Sequence, residues 1–527
     1  MSNGKFDLGS GYSLTSELDP QFHINLTKDN ETIWQSSYQN VTDANPIMLG
    51  NELREANILP PQITFENKNI LELTLTVKQE MLEKAEADPL PFFDEVLEKT
   101  VKYDKMHRRL VLLGQISAYG PNPLNIALKG ESSTGKSWVM LETSKFLPSE
   151  DVIIYSDASP TSFFWKHSQI KCKEHGEKCP EGCRAEKYKE LHLGNKILIM
   201  LDQPSDLLLQ HLKPLLSHDQ KNIIRLTTDP NKKGSTKALE VKIVGWPALQ
   251  YASCQQATDP EIASRLFLIS PSDSIEKVGE VIHFTIGKEK NAYAWRQKYD
   301  SDLKVQTAKQ IIKELKEFRA KYETVEIEKP YLDVFEEIFN EKFPKSPRTM
   351  RTLPQFLSLI DAVTLLHHKH REQRIEDKTL ILTSTKEDGE AAFKIIEYFY
   401  ESLKYGLPTT TLDFYNTVMI PLIKENGPAN RKDIVQKYCK VKDRPLGERW
   451  IVQYYLKPLA EKGLLFESTD PVDKRRTLYT LGELETNVTE GSPLLPQTLD
   501  NINNNSISKQ PPPLSYISFQ SREDPQQ

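Results

Sequence analysis

The sequence predicts an α/β protein with a P-loop core on a parallel sheet, a helical lid, a C-terminal winged-helix domain and disordered tails at both ends. Three observations carry that expectation. The apolar segment Leu124–Leu128 leads into Gly130-Glu131-Ser132-Ser133-Thr134-Gly135-Lys136-Ser137, which fits G-x-x-x-x-G-K-S/T at every position and is followed by a helical pattern closed at Pro148. Further short apolar runs at 151–155, 196–202 and 247–253 read as buried strands between helical segments. Three helical segments then precede a strand–turn–strand between residues 410 and 482.

The chain has 527 residues, enough for three or four domains and a sizeable core. Charged residues are 27% of it and the net charge is −6, so any nucleic-acid surface must be local. No apolar run approaches the ~18 residues that span a bilayer, and the first residues lack a signal-peptide core. The Asn-x-Thr triplets at Asn25, Asn30, Asn40 and Asn487 therefore read as chance. Five cysteines, three of them between Cys172 and Cys183, do not form a disulfide framework. The expected setting is intracellular, in the cytoplasm, with no membrane partner.

Residues 1–70 are rich in Asn, Ser, Thr, Asp and Gln without a sustained period, and are expected to be disordered. Residues 71–123 read as three helices, the last apolar over most of its length and so buried against the core. The core is expected over 124–271. In a loop like Gly130–Ser137 the backbone amides and the helix dipole cradle phosphates, Lys136 reaches the β/γ oxygens, and the Ser137 hydroxyl ligates Mg²⁺. The bland alternative, a chance match in a Ser/Gly-rich turn, fits the flanking strand and helix poorly.

Lys196–Gln203 is an apolar strand ending in a carboxylate, the Walker B form in which Asp202 holds the Mg²⁺. Gln203 follows where a water-polarising Glu is common. Either Gln203 positions water, or Asp206 substitutes, or hydrolysis is slow.

The charged insertion at 171–190 holds Cys172, His175, Cys179 and Cys183 in the spacing C-x2-H-x3-C-x3-C. Three thiolates and an imidazole suit a closed Zn²⁺ site, with His167 or His192 as substitutes for His175 and an exposed reduced cluster as the alternative. Residues 222–245 read as a β-hairpin whose tip carries Lys232, Lys233 and Lys237.

In this order the pieces resemble the AAA+ ATPases, in particular the group with the minichromosome-maintenance helicases and certain phage and plasmid replication ATPases. The resemblance runs from about residue 105 to 482 and implies ATP as ligand and a homo-oligomeric ring of six subunits. Within it, Ser264-Arg265-Leu-Phe is similar to the arginine-finger segment, so that Arg265 would reach into a neighbouring subunit's site. The segment starting at Arg348 looks like the sensor-2 helix, with Arg351, or else Arg348, contacting nucleotide. Ser253, Gln255 or Gln256 would serve as sensor 1.

Residues 272–404 are helical in pattern, and His367, His368 and His370 sit at a helix end where a dipole-capping role is expected. The winged helix at 410–482 carries 13 basic and 9 acidic residues from 412 onward, on a chain that is negative overall. Arg444 and Arg449 on its recognition helix, and Lys474, Arg475 and Arg476 on its wing, are expected to contact DNA. A protein-contacting winged helix is the alternative. Residues 483–527 read as a disordered tail. Two functions are expected: an ATP-driven DNA helicase or replication-initiator-type motor, or an ATP-switched DNA-binding scaffold with slow hydrolysis. A small-molecule kinase explains neither the hairpin nor the winged helix.

Overall fold

A computed structural model describes residues 4–9, 12–18, 22–29, 31–38, 78–228, 238–254, 259–343, 345–346 and 348–482. All fall in the first of the chain's two units, Met1–Leu484. β1 (Gly4–Gly9), β2 (Tyr12–Leu18), β3 (Phe22–Lys28) and β4 (Glu31–Tyr38) pair antiparallel in sequential order. The expectation that residues 1–70 lack structure fails for this stretch. Its polar composition hides a two-residue alternation that buries Leu14, Ser16, Ile24 and Leu26, with Leu14 opposite Leu26 and Ser16 opposite Ile24. Residues 39–70 and the expected tail at 483–527 lie outside the described residues.

The strands that follow are β5 (Ile126–Lys129), β6 (Val152–Tyr155), β7 (Gln169–Cys172), β8 (Lys187–His192) and β9 (Ile197–Met200). After them come β10 (Asn222–Thr228), β11 (Ala238–Val244), β12 (Ala248–Ser253) and β13 (Phe267–Ile269). Five of these form an all-parallel sheet in the order β13-β5-β12-β9-β6. β5, β9 and β12 are buried at every position, as strands covered on both faces must be. Their continuous apolar runs are why the sequence shows them so clearly.

The helix Lys105–Ile116 is buried over nine of its twelve residues, as expected. Gly114 brings it against β5: a Cβ there would meet Ile126 Cδ1 at 2.5 Å. Gln115 Nε2 donates to Gln250 Oε1 across that contact at 3.0 Å, and Gln250 in turn donates to the Val111 carbonyl at 2.8 Å.

The other four strands form an outer sheet, β10-β11-β8-β7, in which β8 and β11 run parallel and both end pairs are antiparallel. β10 and β11 pair from Asn222↔Val244 to Thr228↔Ala238; the tip with Lys232, Lys233 and Lys237 lies outside the described residues. The insertion that reads only as a charged loop thus supplies two strands.

Residues 272–404 are not wholly helical. β14 (Thr324–Glu328), β15 (Glu372–Glu376) and β16 (Thr379–Thr383) form a sheet in the order β14-β16-β15. The strands are five residues each, too short to show against the long helical patterns around them. His367 and His368 do finish the helix Thr349–Leu366, but not as charges. Burial pushes His368 down to about 4 and lowers His367, and their Nδ1–H groups donate to the Val363 and Leu365 carbonyls at 2.8 and 3.0 Å.

The last segment packs the helical runs 409–426 and 448–461, each with a π turn inside it, and the helix Arg431–Lys442 over β17 (Ala429–Asn430), β18 (Leu465–Thr469) and β19 (Thr477–Leu481). Its core mixes aliphatic and aromatic side chains, with Phe414 stacked on Tyr455 at 4.3 Å and Tyr438 fully buried beside them. Among the described residues no helix is long and apolar enough to cross a membrane.

Candidate functional site

The site grows out of β5. Past Lys129 the backbone turns through Gly130 at φ 143°, Ser133 at φ 67° and Gly135 at φ 87°, and then enters the helix Lys136–Ser144. Both glycines of the motif therefore sit where a side chain is disfavoured, the physical reason for this spacing. Lys136 is the first helical residue and is buried. Its ammonium turns back over the loop, donating to the Gly130 carbonyl at 3.0 Å and to that of Glu131. Burial lowers its pKa, against the pull of Cys254, Glu131 and Asp202, so those three groups share its surroundings. Lys129 is also buried, and its ammonium is pushed down to about 8.

Order in the sheet brings the next residues in. β12 stands between β5 and β9, and the chain leaving β9 passes Ser137, whose hydroxyl donates to the Leu201 carbonyl at 3.4 Å. Asp202 follows, exposed, and then Gln203. The Ser253 hydroxyl at the end of β12 donates to Gln203 Oε1 at 2.5 Å. Of the sensor-1 candidates, Ser253 is thus joined to Gln203, whereas Gln255 and Gln256 lie outside the described residues. Asp206 begins the following helix and is exposed.

Three expected residues fall elsewhere. The Arg265 side chain is 8% exposed and bound within its own chain, to Ser217 Oγ, the Glu261 carbonyl at 2.6 Å and the Glu261 carboxylate at 3.0 Å. Arg348 is half-buried beneath the turn at Gly406 and donates to the Leu403 carbonyl. Arg351 is exposed, and among the described residues no hydrogen bond or ion pair joins it to the loop.

Other cations reach the loop instead. Lys277, near the start of the helix Ile275–Glu289, donates to the Thr134 carbonyl at 3.0 Å and pairs with Asp104. Arg444 pairs with the Glu131 carboxylate at 3.0 Å and with Asp273 at 2.7 Å. Tyr455 and Tyr438 donate to the same Glu131 oxygen at 3.1 and 3.4 Å, and Arg444 holds the Tyr438 hydroxyl at 2.6 Å. Arg444 therefore lies in the turn after the helix Arg431–Lys442 and grips the loop, rather than standing on a helix open to DNA. Its five guanidinium donors suit two carboxylates at once, which is why it settles there. Arg449, Lys474, Arg475 and Arg476 remain exposed.

The second constellation lies at the far edge of the outer sheet. Cys172 ends β7, and Cys172, His175, Cys179 and Cys183 place their ligand atoms within 4.8 Å of one another. This Cys3His cluster could bind a zinc ion. The hydrogen bond with His175 draws the Cys172 thiol down to about 6, while desolvation and the neighbouring thiols hold Cys179 up at about 11. The substitutes for His175 are engaged elsewhere: His167 with the Tyr155 hydroxyl, His192 with Glu190 at 2.7 Å.

No protein-family model matches this chain, and no curated protein matches it.

Proposed function

We propose that the protein binds ATP with Mg²⁺ on the loop Gly130–Ser137 and hydrolyses it to act on DNA, as a helicase-like or replication-initiator-type motor. One observation carries the nucleotide reading: a glycine-bracketed loop between a buried strand and a helix N-terminus, with Lys136 turned over it and the Leu201–Gln203 segment against Ser137. Lys136 would exchange its two loop carbonyls for phosphate oxygens. Ser137 and Asp202 would hold the Mg²⁺, which would supply positive charge against the charge developing on the phosphates. Gln203, oriented by Ser253, would align the attacking water, its amide offering a hydrogen bond without acting as a strong base.

By resemblance the working form is a six-subunit ring. Arg265 would then have to trade Ser217 and Glu261 for a neighbour's phosphates. DNA would meet the hairpin β10–β11 and the exposed cations Arg449, Lys474, Arg475 and Arg476 of residues 410–482, which fit a winged helix in element order.

The grip of Arg444, Tyr438 and Tyr455 on Glu131 favours the second reading, a nucleotide-switched DNA-binding platform. Phosphates arriving on the loop would compete for the same cation, so nucleotide occupancy and the hold on the C-terminal segment are linked. Equilibrium titration of the full chain with Mg-ATP tests the nucleotide reading. Lys136→Ala should weaken binding at least ~10-fold, the scale of one lost charge-assisted contact. Equal affinity in both proteins would overturn it.

A further inference from the structure

We propose that Cys172, His175, Cys179 and Cys183 bind one structural Zn²⁺, and that this ion fixes the outer sheet that carries the β10–β11 hairpin. Distances make the first half of the case. A tetrahedral zinc with bonds of ~2.3 Å to sulfur and ~2.05 Å to nitrogen separates two sulfurs by about 3.8 Å and a sulfur from a nitrogen by about 3.6 Å. Cys172 Sγ and Cys183 Sγ stand 3.8 Å apart, and each lies 3.6 Å from His175 Nδ1. That is one face of the tetrahedron, with the Cys179 sulfur within 4.8 Å to complete it. The same separations exclude a disulfide, which needs about 2.05 Å between sulfurs.

The backbone supports the same geometry. Cys172 and Gly176 exchange hydrogen bonds of 2.8 and 2.9 Å across a tight turn, with Gly176 at φ 61°, and Gly182 before Cys183 stands at φ 83°. The turn aims His175 back at Cys172. Four protein ligands close the shell and leave no position for a reacting water, so the ion is structural. Bound by three thiolates and a neutral imidazole, the ion sits in a cluster of net charge −1, with any remaining thiol protons released to solvent.

The second half concerns what the ion holds. Between Lys173 and Glu186 no residue is buried, so this part of the insertion contributes nothing to the core. Without a staple the ends of β7 and β8 are held by their ladder and by the ion pairs Lys171–Glu190 and Lys173–Glu186, with no buried side chain beyond Cys172 to fix the loop between them. β8 pairs with β11 through Val241↔Lys189 to Val244↔His192, and β11 alone joins β10 to the sheet. Ion pairs cross the same seam, from Lys173 to Glu240 and from Lys242 to Glu190, each at 3.3 Å. Order set at the cluster is thus passed to the hairpin through one parallel strand pair.

The test is metal content and hydrogen exchange on the reduced full-length protein. We expect roughly one zinc per chain, lost in Cys179→Ser and retained in Cys439→Ala, whose thiol lies outside the cluster. Cobalt substitution should give the absorption of a tetrahedral thiolate site. Removing zinc with a thiol-directed mercurial and a chelator should speed amide exchange at least ~10-fold in β7, β8, β10 and β11, and leave β5, β9 and β12 unchanged. Absence of metal that also fails to bind when added, or zinc retained in Cys179→Ser, overturns the site. Zinc loss that leaves β10 and β11 unchanged overturns the coupling to the hairpin. If Cys179→Ser does not fold, the mercurial titration of wild-type protein decides alone.

Discussion

The two ends of the candidate nucleotide site are built in opposite ways. The loop itself is eight contiguous residues whose shape is fixed by two left-handed glycines and the helix they enter. The clasp on Glu131 is drawn from Asp273, Tyr438, Arg444 and Tyr455, side chains up to 324 residues away from it. A contiguous device depends on local backbone geometry and survives changes elsewhere. A dispersed one depends on the packing of every element that delivers a side chain, and can be opened without unfolding any of them. That difference suits the roles proposed for them, a loop that would always hold phosphate and a clasp that would let go.

The largest effect should come from acid, and it falls outside the clasp, beside the Asp104–Lys277 pair. His107 is fully buried beside the Asp104–Lys277 pair that reaches Thr134, and burial pushes its pKa to about 4 against 6.5 when exposed. Above pH 6.5 both folded and unfolded states are neutral there. Below it the unfolded chain takes up a proton that the folded chain refuses until about pH 4, so stability falls across that window by about 3 kcal/mol at most. His218 and His368, also pushed to about 4, act in the same direction, and Asp361, raised to about 6, opposes them. Denaturant midpoints at pH 7 and pH 5 measure it. An unchanged midpoint contradicts the assignment.

Next is Gln203→Ala, which should lower ATP turnover about 100-fold, while Ser253→Ala should produce a smaller loss of the same sign because it only orients the amide. If Gln203→Ala is neutral, the role passes to Asp206 or elsewhere.

The clasp should show a coupling of about 1–2 kcal/mol between Glu131→Gln and Arg444→Met in a double-mutant cycle on stability, since both groups are partly buried. The coupling should shrink when Mg-ATP is added. Additivity in both conditions would detach the clasp from the nucleotide.

The smallest effects belong to the exposed cations. Ala at Arg449 or at Lys474, Arg475 and Arg476 together should weaken DNA binding several-fold and flatten its salt dependence. Arg444→Ala should leave that salt slope unchanged, because its charge is already matched by Glu131 and Asp273.

The sequence shows what local rules encode. Gly130–Ser137, the apolar strands and the Cys/His spacing could each be read because short-range geometry demands those residues in that order. Arg444 could not, because a surface arginine and one that grips a loop 313 residues away look alike in a string of letters. Lys277 gave no signal, since its segment read only as helical in pattern. The sheet of β1 to β4 was hidden by composition, since Ser16 stands in the buried row of Leu14, Ile24 and Leu26, and the buried residues of the other face, Ser13, Asn25 and Thr27, are polar too.

The most direct measurement is ATP hydrolysis by the full chain, alone and with single-stranded and forked DNA, beside Lys136→Ala. The account predicts turnover that rises several-fold with DNA and vanishes in the variant. Turnover that persists in Lys136→Ala would contradict the assignment of the loop, and nucleotide and DNA binding without turnover would contradict the motor and leave the switch.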